Sequence, residues 1–591
     1  MSNKITNIFA TILLVVMFFL AVFSIKDDTF TFDETAHIAA GYSYLTQKDY
    51  RMNPEHPPLI KDLAAFPLLF LNLNFPKDSP TWTEASPAVW WHQFDFASQF
   101  LYHSGNNPDR ILFWSRIPMI LVLILLGWLI FMWAKKLWGN KAALITLSLF
   151  SFSPTFLAHG RFVTTDVGAA LGAVLSTYFW LKFLRNTTKK SLILAGLAFG
   201  IAMLLKFSLI LLVPFFAFIT IVYVWLKNDN EKKSIAILKY VGLSLLSGII
   251  GVIFIIWPVY QYQVLNYPAE RQIQDTQNLL ATTVTPKAII KFNVWLDKNP
   301  VLRPLGQYFL GLLTATNRAT SGNTTYFMGE ISAKSWESYF PIVYFIKNPL
   351  PFHILTLISL LYAAWLIKKP FWKNTFPRIK DWIRNHFVEF SMLSFLGIYW
   401  TTSLVSSLNI GVRHLMPVLP FTIMLVSGVI AYLLKEPFLK LKYGIWGILI
   451  LWQAISVISI YPHFLAYFNE IIGGPDKGYL YAVDSNLDWG QDLKRLEKWT
   501  NENRIKKIYL DYFGGGDANY YLKEKYAPWW GKRDPRELPK GSYLAVSATL
   551  LQGGRAIPVK GFDQPSDYYY WISQYKPVTK IGYSIFVYYI K

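Results

Sequence analysis

An α-helical protein that crosses a membrane many times, with a small outer α/β domain at its C-terminal end, is the fold class this sequence predicts. Three observations carry the expectation. Hydrophobic residues make up 53% of the chain and charged residues 16%, far from the balance of a soluble domain. The apolar residues gather into runs long enough to cross about 30 Å of hydrocarbon as helices. Past residue 461 those runs stop, and charge, glycine and short β-like stretches take over.

Taken in order, the runs lie at 8–25, 113–133, 142–157, 166–183, 190–206, 207–226, 237–258, 349–367, 387–407, 415–434 and 443–461, which makes about eleven spans. The first is expected to stay as an anchor helix, because Phe23-Ser24-Ile25-Lys26 is a poor cleavage site. The stretch 59–73 is too short and too proline-marked to span, so it is expected along the outer interface.

Basic residues orient the chain. The alternate connections hold Lys135, Lys136 and Lys141; Arg185, Lys189 and Lys190; Lys227, Lys232, Lys233 and Lys239; Lys368, Lys369, Lys373, Arg378, Lys380 and Arg384; and Lys435, Lys440 and Lys442. Short basic connections stay in the cytoplasm. The net charge of +21 therefore reads as a topology signal, with no nucleic-acid partner. An odd number of spans then puts the C-terminus outside, together with loops 26–112 and 259–348. Residues 1–461 form the membrane domain and 462–591 the outer domain. In the latter, 507–510, 543–547 and 584–589 read as strands and 492–500 as a helix. The chain has no cysteine, which excludes thiol nucleophiles and Cys-ligated zinc.

Just beyond the first run, Thr31-Phe32-Asp33-Glu34-Thr35-Ala36-His37 is followed by Asn53-Pro54-Glu55-His56-Pro57-Pro58-Leu59. Adjacent acids at a membrane edge would alone read as solvated charge. Here prolines stiffen the neighbouring chain, and a general base must be held within reach of the hydroxyl it activates. Asp33 and Glu34 are therefore the candidate catalytic pair.

Three more connections bring ionisable groups to the same side. His159-Gly160-Arg161-Phe162-Val163-Thr164-Thr165-Asp166 reads either as part of a site or as a polar edge loop in which Asp166 caps a helix. Lys206 either snorkels to the interface or, against the positive-inside bias, meets an anion such as phosphate. In Gly411-Val412-Arg413-His414-Leu415-Met416-Pro417 the arginine either anchors at the interface or grips phosphate bidentately. Such convergence at a membrane edge marks a substrate path. The D-x-N-x-D of Asp484-Ser485-Asn486-Leu487-Asp488 is not a calcium loop, since Trp489 stands where glycine is needed and Arg495 where the bidentate glutamate belongs. It is expected to be a turn joining the last helix to the outer domain.

Together the Asp33-Glu34 pair, Asn53-Pro54-Glu55-His56-Pro57-Pro58-Leu59-Ile60-Lys61, the turn 161–166, Lys206 and Arg413-His414-Leu415-Met416-Pro417 resemble the bacterial phospholipid-carrier-dependent glycosyltransferases of family 39. These group with protein O-mannosyltransferases and lipid A aminoarabinose transferases. The resemblance covers most of residues 1–470. The segment 461–470, with 484–493, resembles a bacterial branch that has an outer C-terminal domain. The resemblance implies the C-type membrane glycosyltransferase fold (GT-C) in a bacterial plasma membrane. It also implies inverting transfer of a sugar from a polyprenyl-phosphate carrier to an acceptor hydroxyl on the outer face. Asp33 would be the base, with Glu34 and Asp166 orienting acceptor or sugar. Lys206 and Arg413 would stabilise the departing phosphate with help from Arg161, and Glu55, His56 and His414 would complete the substrate-binding set.

His56 departs from the lipid A-modifying relatives, which commonly have lysine after the corresponding glutamate. Glu55 and His56 are also the two candidate ligands for a divalent metal, although no cofactor is required by the motifs. The acceptor stays open between a protein, a lipid and a cell-wall glycan. A transporter or flippase of lipid-linked saccharide would use the same cations for binding alone, but the internal repeats usual in transporters are not evident. A scaffold with the outer domain as binding module would not need the acidic first loop.

Overall fold

Each apolar run becomes helical in the computed structural model, which describes residues 2–591 apart from 85–88, 228–231, 282, 368–373, 436–438 and 560. Lys368, Lys369 and Lys373, expected in an inside connection, lie outside the described residues, as does the side chain of Lys440. Six helices among the described residues are long and apolar enough to cross a membrane: Asn3–Ser24, Pro108–Trp138, Thr165–Arg185, Phe207–Leu226, Lys233–Gln263 and Leu441–Ile458. A seventh crossing results if Tyr339–Lys347 and Leu350–Trp365, bent by 114°, count as one span.

The remaining runs are also helical but fall outside that set, two of them because they are short. The run at 142–157 divides into Asn140–Ser151 and Pro154–His159, broken where Ser153 caps the second piece. Its 12-residue first part reaches only roughly 18 Å. Val418–Leu433 has 16 residues, or about 24 Å. Lys189–Leu205 and Phe387–Leu404 complete the bundle. Close packing is achieved by small residues: a Cβ on Gly200 would stand 2.7 Å from the carbonyl oxygen of Gly251, so only glycine lets these helices touch.

Following the first helix, Phe32–Gln47 packs between Leu59–Ala65 and Val89–Tyr102. Leu59–Ala65 continues into a 3-10 turn, Phe66–Phe70, whose Phe66, Leu69 and Phe70 are exposed.

Beyond residue 461 the strands fall where the sequence predicts, at Ile508–Asp511, Ser542–Ser547 and Ile585–Ile590. With Tyr526–Pro528 and Thr579–Ile581 they form a five-stranded sheet, parallel over its first three strands and antiparallel at the other edge. A second, three-stranded sheet joins loop 259–348 to the C-terminal domain. In it Glu330–Ser332 of loop 259–348 pairs with Thr325–Phe327 on one side and with Ile557–Val559 of the C-terminal domain on the other. One hydrophobic core runs from the helices into this domain and includes Leu487, Trp489 and Tyr569. The C-terminal domain is therefore packed against one end of the helices.

Candidate active site

A cavity of about 360 Å³ opens at those helix ends, and Asp33, Glu55, His56, Lys206, Arg413 and His414 all line it. Asp33 is the second residue of the helix Phe32–Gln47, so its side chain projects from a fixed first turn. Lys206 sits where Lys189–Leu205 gives way through one extended residue to the 3-10 turn Phe207–Leu211. Arg413 and His414 lie in the short turn Val412–Leu415.

Asp166 connects these groups from beneath. It lies in the first turn of Thr165–Arg185 and is buried. One of its carboxylate oxygens is 2.5 Å from Lys206 Nζ and the other 3.5 Å from Arg413 Nη1. Arg413 Nη1 also donates to Asp33 at 2.9 Å. Two cations and two carboxylates thus interlock across 380 positions of sequence. Arg413 Nε donates to Ser485 Oγ at 3.1 Å, and its guanidinium lies 4.2 Å from the centre of the Trp489 ring. Among the described residues Nη2 meets no hydrogen-bond partner. Burial opposes the charge of Arg413, but Asp33, Asp166 and Asp484 together hold its pKa above the ordinary value.

The histidines of the cavity are held neutral. Burial pushes His37 below its usual range and His56 well below it, and their rings meet edge-on at 5.1 Å. His37 Nδ1 is fixed on the carbonyl of Val163 at 2.7 Å. Burial, then Lys206 and Arg413, push His414 well below the usual range, and its Nε2 has no partner among the described residues. The loop bearing Glu55 and His56 is pegged by buried Lys61, whose ammonium donates to the carbonyls of Asn53 (2.7 Å) and His56 (2.8 Å). No group of three or more His, Cys, Asp or Glu able to hold a metal occurs among the described residues. Glu55 and His56 alone would supply two protein donors, short of the set a tightly held ion needs.

Glu34 and Arg161 stand elsewhere. Glu34 is fully buried and closes a capping box, accepting from Thr31 N at 2.9 Å. It also accepts from Arg116 at 2.6 and 2.8 Å and from Val163 N at 2.9 Å. Its oxygens are committed to the support beneath Asp33, and it does not line the cavity. The spacing Thr31-x-x-Glu34 was the signal for this cap. Arg161 is likewise buried, donating to Ser24 O at 2.7 Å and pairing with Asp28 at 2.8 Å. Burial brings its pKa down to about 10. Expected as an orienting acid and an assisting cation, both residues brace the site from behind.

Asp28 is the node of that brace, and nothing in its sequence context marked it. Arg116, Arg161 and Arg495 approach its carboxylate at 2.9, 2.8 and 2.9 Å. Burial pushes the carboxyl up, but the three arginines outweigh it and hold it below the ordinary value. Arg495 comes from the C-terminal domain, so this cluster also ties that domain to the first two helices.

Residues 111–257 match the family described as dolichyl-phosphate-mannose-protein mannosyltransferase. The stretch contains Arg161, Asp166 and Lys206, whereas Asp33, Glu55, His56, Arg413 and His414 lie outside it. Among solved structures, ArnT from Cupriavidus metallidurans bound to undecaprenyl phosphate is similar at 12% identity, covering 100% of this chain and 98% of that one with a TM-score of 0.45. The oligosaccharyltransferase AglB from Archaeoglobus fulgidus, in complex with an inhibitory peptide and a dolichol-phosphate, is similar at 11% identity, 90% and 69% coverage and a TM-score of 0.45. The arabinofuranosyltransferase AftD from Mycobacteria is similar at 9% identity, 100% and 40% coverage and a TM-score of 0.37. No curated protein matches the chain.

Proposed function

We propose that the protein is an inverting glycosyltransferase that moves a sugar from a polyprenyl-phosphate carrier to an acceptor hydroxyl on the outer face of a bacterial plasma membrane. The observation that carries this reading is the pairing of Asp33 with Arg413 at 2.9 Å, in a cavity that Lys206 also lines. A base and two phosphate-binding cations then face one volume. The cavity has an apolar side, formed by Ile210, Leu211, Leu312, Phe340 and Leu408, which suits the first isoprene units of a carrier.

In the reaction the acceptor oxygen attacks the anomeric carbon as Asp33 takes the hydroxyl proton. The bond from that carbon to the phosphate oxygen breaks, and its electron pair leaves with the carrier phosphate. Lys206 and Arg413 meet the charge that develops there, where preorganised cations contribute most to the rate. Asp166 holds the two cations side by side. Glu55 and His56 are assigned to the sugar rather than to a metal, because no third donor joins them among the described residues. Direct displacement by a single activated hydroxyl inverts the anomeric carbon.

Helix ends support the outward placement. Pro108–Trp138 carries Arg116 near the site and Lys135 and Lys136 at its far end, and Thr165–Arg185 runs from Asp166 to Arg185. The basic connections thus lie opposite the cavity, as the positive-inside rule requires of a site facing outward. The test is to incubate the purified protein in liposomes with polyprenyl-phosphate-linked hexoses and pentoses and candidate acceptors, then to identify products by mass spectrometry. A new glycosidic bond of inverted configuration is expected. Movement of the carrier across the bilayer with no new bond would establish a transporter instead.

A further inference from the structure

The geometry points to a positioning role for the C-terminal domain in transfer: the turn 484–492, with the loop 513–516, forms a bracket that sets Asp33 and Arg413 against each other. This inference rests on the glycosyltransferase reading of the same cavity. The turn is the Asp484-Ser485-Asn486-Leu487-Asp488-Trp489-Gly490-Gln491-Asp492 segment, whose D-x-N-x-D spacing is not a calcium loop.

One arm of the bracket holds the cation. Ser485 Oγ accepts from Arg413 Nε at 3.1 Å and donates to the carbonyl of Ile410 at 2.6 Å. Asn486 Oδ1 accepts from Val412 N at 3.0 Å, so the residues before Arg413 are fixed along with its side chain. The Trp489 ring, 1% exposed, lies against the guanidinium at 4.2 Å and is itself backed by His159 and Phe162. A flat aromatic face leaves the edge of a guanidinium open to a ligand while fixing its plane.

The other arm holds the base. Trp489 O accepts from Phe32 N at 3.0 Å and Gln491 O from Thr29 N at 2.9 Å, so the entry to the Asp33 helix runs alongside the turn. Phe513 stacks on Phe32 with ring centres 5.5 Å apart and planes within 6°. Gly515 fits against the same entry, where a Cβ would stand 2.6 Å from both the Thr31 carbonyl oxygen and Thr35 Cγ2. Trp489 belongs to both arms, with its carbonyl on the residue before Asp33 and its ring on Arg413. A single rigid turn thereby fixes the separation of two groups that come from opposite ends of the sequence.

The two arms can be tested separately in the full-length protein in liposomes. Measurements are kcat, donor KM, polyprenyl monophosphate affinity and thermal unfolding. Trp489→Leu removes the aromatic face and is expected to lower kcat/KM about 30-fold and to weaken monophosphate binding, whereas Trp489→Phe restores most of both. Ser485→Ala should weaken monophosphate binding about 3- to 10-fold. Gly515→Ala pushes on the start of the Asp33 helix, at Thr31 and Thr35, and not on Arg413, so kcat should fall while monophosphate affinity stays at the wild-type value. Val587→Ala, in the sheet core of the same domain, controls for lost stability. It should lower the unfolding temperature and leave kcat and KM unchanged. The bracket is overturned if Trp489→Leu keeps turnover and affinity within twofold of wild type, or loses them only in step with Val587→Ala. A wild-type protein that transfers no sugar would sink the functional reading. The monophosphate affinities of Trp489→Leu, Trp489→Phe and Ser485→Ala would then still decide the bracket.

Discussion

Replacing Arg413 by lysine keeps the positive charge in the cavity and removes the fork. The guanidinium donates to Asp33 at 2.9 Å and to Ser485 at 3.1 Å, and stacks on Trp489 at 4.2 Å. A lysine ammonium can keep one of these interactions in place while it also meets the carrier phosphate. One charge-assisted hydrogen bond is worth about 1.5–3 kcal/mol, and a desolvated stack on tryptophan about 2 kcal/mol. Part of the stack survives on the lysine stem, so a loss of about 3 kcal/mol is expected, or about 150-fold in kcat/KM. Lys206 shares Asp166 with Arg413, so the two cations are coupled. Interacting neighbours depart from additivity by about 0.5–3 kcal/mol. Lys206→Ala combined with Arg413→Lys should therefore lose less than the product of the single losses, by about threefold or more. Steady-state kinetics on a polyprenyl-phosphate sugar, with the four proteins matched for folded fraction, measures both quantities. Turnover of Arg413→Lys within threefold of wild type, or strict additivity in the cycle, would refute a shared grip on one phosphate.

Asp33→Asn should retain polyprenyl monophosphate binding and lose about 10² to 10⁴ in kcat, because an amide cannot take the acceptor's proton; near-normal turnover would move the base elsewhere. Glu34→Gln breaks a buried pair with Arg116 and should instead appear as a loss of about 3–5 kcal/mol in stability, read by thermal unfolding. Reporter fusions at about residue 140 should behave as cytoplasmic and those at about residue 520 as extracytoplasmic, and the reverse pattern would invert the whole topology. Asp488 supplies a pH prediction, since burial pushes its carboxyl up to about 8. Between roughly pH 4, where the unfolded chain ionises, and pH 8 the folded state alone keeps this proton, so stability falls as pH rises. Asp488→Asn should remove that slope and raise the unfolding temperature at pH 7.5 more than at pH 5.

Local pattern alone determined much of this protein. Apolar runs located the helices, because a helix in hydrocarbon satisfies its backbone within its own segment. Alternating β-branched and aromatic stretches located three strands of the C-terminal sheet for a similar reason. Asp33, Lys206 and Arg413 were legible because an ionisable group at a membrane edge needs a partner, and the chain offers few. Length and breaks within a run were less legible. Ser153 and Pro154 divide the run at 142–157 where composition reads it as continuous.

Only the tertiary structure separated Asp33 from its neighbour Glu34. One residue of helix turns a side chain by about 100°, which puts Asp33 in the cavity and Glu34 on Arg116, 82 positions away. The same holds for Asp28, Ser485 and Trp489. Each gathers partners from segments remote in sequence, and neither periodicity nor spacing records which distant segments burial will bring together. Asp33 and Arg413 stand 380 positions apart, and only the packing of the helix ends brings them to the 2.9 Å contact.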